Sequence, residues 1–107
     1  MLKLYEFSFS NEKLIEKIVD DENLMLNHVI LQGGEALPEH YSNSNVYLII
    51  VKGSITIRLE SNPAEKFITG SILSIPYNVK MNIGNMENGP LEFFIVKSPN
   101  PRDMVNK

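Results

Sequence analysis

The chain has 107 residues, of which 43% are hydrophobic and 21% charged, with a formal net charge of -3 and no cysteine. That length fits one small domain with its own core, and the missing cysteines exclude a disulfide framework and thiolate metal or redox chemistry. With arginine only at Arg58 and Arg102 and no basic stripe, neither a nucleic-acid nor an anionic-membrane partner is expected.

Leu2 to Phe9 is rich in Leu, Tyr and Phe, and its alternation changes phase between Leu4 and Tyr5, which reads as an edge strand with a bulge. Asn11 to Val19 carries Leu14, Ile15, Ile18 and Val19 at the spacing of one helical face behind a Ser10 or Asn11 cap. The same stretch also fits an extended chain, because β-branched residues gather at its end, so a short N-terminal helix and a strand both remain open. Beyond Asp20 the pattern is β. Asn23 to Gln32, Tyr47 to Lys52, Ser54 to Glu60, Phe67 to Ile75, Lys80 to Gly84 and Leu91 to Lys97 are apolar runs separated by Gly, Asn and Pro turns. Ile55, Ile57 and Leu59 alternate with Thr56, Arg58 and Glu60, giving one dry and one wet face. Val46 to Val51 is apolar on both faces and calls for cover on both, from a second sheet and from a second copy of the chain. This longest apolar run is far too short to span a bilayer, and no charged-then-apolar leader opens the sequence, so a cytoplasmic location is expected. The organisation is an N-terminal arm over 1–22, an all-β barrel over 23–97 and an extended tail over 98–107.

Two stretches carry a resemblance. Gly34, His40, Ser42, Val46 and Gly53 stand at the spacings of the first cupin motif, G-x5-H-x-H-x3,4-E-x6-G. Gly70, Pro76, Asn78, Met81 and Asn85 stand at those of the second, G-x5-P-x-G-x2-H-x3-N. The chain therefore resembles a small single-domain cupin, which implies a β-barrel of the double-stranded jelly-roll type. Members of that family typically hold a divalent metal through His, His and Glu of the first motif and a His of the second. The corresponding residues here are His40, Ser42, Val46 and Met81, so one imidazole is left where three protein ligands are needed. No metal or other cofactor is expected.

On an extended chain His40, Ser42, Val46 and Leu48 share a parity, and with Met81 they are the candidate lining of a small-ligand pocket. His40 reads either as a polar contact or general base at the pocket mouth or as a relic bonded to a neighbour. His28 shares a parity with Leu24, Leu26 and Ile30, and facing inward it would be the fallback metal partner of His40. A histidine satisfied by its own surroundings is the more ordinary outcome there. Tyr41, Tyr47 and Tyr77 suit a rim or a subunit interface. The leading expectation is metal-independent binding of a small molecule by a homodimeric barrel. The alternatives are a metal-dependent isomerase, epimerase or oxygenase using His40, and a structural or regulatory dimer with a filled interior.

Overall fold

Strands form where short runs rich in β-branched and aromatic residues are bounded by Gly, Asn and Pro turns. In chain order they are β1 (Leu14–Asp20), β2 (Met25–Leu31), β3 (His40–Tyr41), β4 (Val46–Lys52), β5 (Ser54–Leu59), β6 (Glu65–Ile68), β7 (Ile72–Ile75), β8 (Lys80–Gly84) and β9 (Leu91–Lys97). A computed structural model describes residues 1–104. It pairs the strands into two antiparallel sheets, one ordered β1-β2-β9-β4-β7 and the other β3-β8-β5-β6. The sheets face each other as a flattened barrel with a radius of gyration of 13.8 Å.

The inward residues follow from the period of two. Val29 and Leu31 of β2, Val46, Leu48 and Ile50 of β4, and Leu91, Phe93 and Ile95 of β9 meet Ile55 and Ile57 of β5 and Met81 and Ile83 of β8 in one buried cluster. Each such side chain contributes about 1.5–3 kcal/mol of burial. Asn85, the last position of the second motif, is fully buried for a different reason. Its Nδ2 donates to the Leu31 carbonyl at 3.0 Å and the Gly89 carbonyl at 2.7 Å, and its Oδ1 accepts from the Glu87 N–H at 3.0 Å. That amide ties β2 to the β8–β9 turn. At the β4–β5 turn Gly53 has φ +80°, and a Cβ there would lie 2.3 Å from the Pro90 carbonyl oxygen, so only glycine fits.

Three expectations change and one open alternative closes. Asn11 to Val19 holds no helix: Leu14–Asp20 is a strand, paired with β2 from Leu14↔Ile30 to Asp20↔Met25. The register shifts between Lys17 and Val19, so Ile18 is an extra residue and the outward set becomes Leu14, Glu16 and Val19. A bulge thus mimics helical spacing, and β1 belongs to the sheet rather than to an arm. Leu2 to Phe9 is extended but pairs with no strand. Phe67 to Ile75 is two strands split by a turn at Gly70, φ +95°, closed by Ser71 N–H donating to the Ile68 carbonyl at 3.1 Å. The tail is not extended throughout. Asn100 is buried, its Nδ2 donates to Asp20 Oδ1 at 2.6 Å and to the Asp21 carbonyl at 2.9 Å, and a 3-10 turn follows at Pro101–Asp103. The last three positions of the expected tail lie outside the described residues.

Candidate functional site

The four positions where the family places its metal ligands lie on β3, the start of β4 and β8 and in the β3–β4 connection, and each has a different fate. His40 pairs with Met81 across β3 and β8, yet its side chain is exposed, with Nδ1 donating to the Pro38 carbonyl at 2.8 Å. Ser42 is buried and fully engaged. Its hydroxyl donates to the Pro76 carbonyl at 2.6 Å and accepts from the Val79 N–H at 2.8 Å, clipping the β7–β8 turn to the end of β3. Val46, Leu48 and Met81 are packed in the core. The four family ligand positions therefore present one rim imidazole, one saturated hydroxyl and two apolar side chains, and this set does not fit a divalent metal. Among the described residues no group of three or more His, Asp or Glu side chains is arranged to hold one.

An opening lies beside these positions, where the edges β6 and β7 fail to meet, with Leu59 paired to Met81, Ile75 to Val46 and Leu73 to Leu48. A cavity of about 280 Å³ there is lined by Ile57 and Leu59 of β5, Phe67 of β6 and Leu73 and Ile75 of β7, with Asn62, Glu65 and Ser74 among its polar lining. Its volume is at the lower end of the ~300–1,000 Å³ usual for small-molecule pockets. None of His40, Ser42, Val46, Leu48 or Met81 belongs to this lining.

His28 does not face the interior. The parity that puts Val29 and Leu31 in the core turns His28 to the outer face of the five-stranded sheet, away from His40, so the two imidazoles cannot share an ion. It is nonetheless wholly buried. Its Nδ1 lies 2.8 Å from Glu16 Oε2 on β1 and its Nε2 2.6 Å from Glu92 Oε2 on β9, and Phe7 and Phe94 cover its ring at centroid distances of 4.8 Å each. The Ser8 backbone N–H, then His28, hold the Glu16 carboxyl below its ordinary range. Alternation alone could not identify this cluster, because its partners are 12 and 64 residues away in sequence. Lys97 was also missed. It continues the parity of Leu91, Phe93 and Ile95, pairs with Val46, and has its ammonium pKa pushed down by burial and then by nearby Lys17.

A flattened barrel of two antiparallel sheets defines a double-stranded β-helix, and the comparisons agree. No family profile matches the chain. Uncharacterized protein MJ0764 of Methanocaldococcus jannaschii is 45% identical over 103 residues, spanning 95% of this chain and 89% of that one. The crystal structure of that RmlC-like cupin family protein superposes with a TM-score of 0.92 over 95% of this chain and 94% of the other. The chain belongs to the RmlC-like cupin family. More distant folds agree: a cupin superfamily protein of Desulfitobacterium hafniense at 13% identity gives a TM-score of 0.74, covering 87% of this chain and 83% of that one. A cupin-like protein of Thermotoga maritima at 20% identity gives 0.74 over 78% and 66%.

Proposed function

We propose that this cupin binds a small, largely apolar molecule without a metal, in the cavity between β5–β6 and β7. The carrying observation is that cavity: Ile57, Leu59, Phe67, Leu73 and Ile75 line it, while of the family's metal positions Ser42 is saturated, Val46 and Met81 are packed and His40 stands exposed at the rim. With the carboxylate of Glu65 and no basic residue in the lining, the polar end of the ligand is a donor, a hydroxyl or an amine, rather than an anion. A thermal-shift screen of neutral alcohols and amines, followed by titration calorimetry, tests this. Leu73→Trp fills the cavity and is expected to abolish binding while the far-UV spectrum stays native. His40→Ala is expected to leave affinity unchanged. Loss in His40→Ala with retention in Leu73→Trp would move the pocket to the rim around His40.

The partner reading is a homodimer. The outer face of the five-stranded sheet carries Tyr47 and Ile49 of β4, Ile72 of β7 and Phe94 and Val96 of β9 side by side, and Tyr47 and Ile72 are 45% and 67% exposed. An isologous pair would bury this patch against its own copy. Sedimentation equilibrium on wild type and Ile49→Glu checks it, with a dimer expected for the first and a monomer for the second. A monomeric wild type across the micromolar range refutes it.

A further inference from the structure

We propose that Glu16, His28 and Glu92 form a proton-dependent clasp that fastens the N-terminal arm to the barrel wall, closed while His28 is an imidazolium and open once the ring loses its second proton. The geometry supplies the reason. Both ring nitrogens face carboxylate oxygens, Nδ1 to Glu16 at 2.8 Å and Nε2 to Glu92 at 2.6 Å. A neutral imidazole owns a single N–H, so two ionised acceptors are satisfied only by the cation. The ring is sealed from water while the carboxylate side chains keep 22% and 21% of their surface in solvent, which leaves a route for the proton.

The same carboxylate holds the arm. Ser8 donates its backbone N–H to Glu16 Oε2 and its hydroxyl to Oε1, both at 2.8 Å. Phe7 rests on the imidazole at 4.8 Å and edge-on to Phe94 at 5.1 Å, and a cation on an aromatic face is favoured over a neutral ring. The groups around His28 are accounted for on each side. Glu16 comes from β1 and Glu92 from β9, the arm brings the uncharged Phe7 and Ser8, and Lys52 of β4 stands opposite Glu92 across the β4–β9 ladder. Loss of the ring proton leaves a nitrogen lone pair against a carboxylate oxygen in a buried site. That repulsion is relieved when Phe7 lifts and water enters. On the acid side, protonation of Glu16 removes the charge that both Ser8 bonds use. Glu16's lowered folded pKa places that loss below the ordinary carboxylate range.

The test uses the intact 15N-labelled chain, following the His28 ring nitrogens and the Ser8 amide through a pH titration. One inflection is expected to serve both, with the open-to-closed ratio rising about tenfold per pH unit through it, as a one-proton equilibrium requires. Glu92→Gln removes one anionic acceptor without touching the arm and is expected to move both midpoints together to lower pH. Ser8→Ala is expected to loosen the arm while His28 still titrates. A Ser8 amide that stays protected through the His28 inflection, or a midpoint unmoved by Glu92→Gln, overturns the clasp. The wild-type comparison stands by itself if a variant does not fold.

Discussion

Ser42→Ala separates a structural hydroxyl from a ligand contact. The hydroxyl makes two hydrogen bonds, to the Pro76 carbonyl at 2.6 Å and from the Val79 N–H at 2.8 Å, within a side chain that is 2% exposed. A net hydrogen bond is worth about 1 kcal/mol, and a buried donor left unpaired costs about 1–3 kcal/mol. Pro76 is exposed and its carbonyl regains water, whereas Val79 is part-buried and its N–H has no replacement. The expected loss is about 2–3 kcal/mol. At roughly 4–8 °C per kcal/mol for a domain of this size, Tm falls by about 10–20 °C. The backbone bonds between Ser42 and its turn, to Val79 O and from Asn78 N, survive the substitution, so the variant folds and urea unfolding can measure it. A loss below about 0.5 kcal/mol would refute the clip. So would a ligand whose affinity falls in Ser42→Ala at unchanged stability.

Gly53→Ala meets both a left-handed backbone and the Pro90 carbonyl oxygen at 2.3 Å, while Gly70→Ala meets only the backbone penalty in open space. Chemical denaturation is expected to show a loss of about 1–2 kcal/mol for Gly70→Ala, and a larger one for Gly53→Ala. Asp20 has its pKa lowered, first by the Asn100 side chain and also by Arg102 and Lys17. A lowered folded pKa adds stability above the unfolded carboxylate value that disappears as pH falls through the folded one, so Asn100→Ala is expected to flatten the acid limb of a Tm-against-pH profile below about pH 4. Phe93→Ala empties a fully buried site in β9, and about 3–5 kcal/mol should be lost in equilibrium unfolding.

Much of the barrel is readable from alternation, because a strand with one buried face has to place every second residue in the core. Val46, Leu48, Ile50, Leu91, Phe93 and Ile95 are all where that rule puts them. It fails where an extra residue breaks the count: the Ile18 bulge makes β1 look helical, and the Gly70 turn is short enough to be read through. Parity also gives only relative facing. His28 was grouped correctly with Leu26 and Ile30, but the group looks outward, since the barrel side of β2 is fixed by Val29 and Leu31. The candidate site was less legible still. Equal parity places Ser42, Val46, Leu48 and Met81 toward the interior, yet whether an interior position is a void or a filled core depends on neighbours contributed by other strands. The cavity draws on three separate segments, and no spacing within one segment encodes it.

The unequal sheets leave their outer strands with contrasting defences against unwanted growth. On β6 the charged pair Glu65 and Lys66 makes strand addition unfavourable, and Lys66 is also held to Glu87 at 3.6 Å. The sequence of β7, Ile72-Leu73-Ser74-Ile75, carries no charge and no proline. At high concentration, fibrous or ladder-like association should therefore begin along β7, and a lysine in place of Ser74 is the substitution that ought to suppress it.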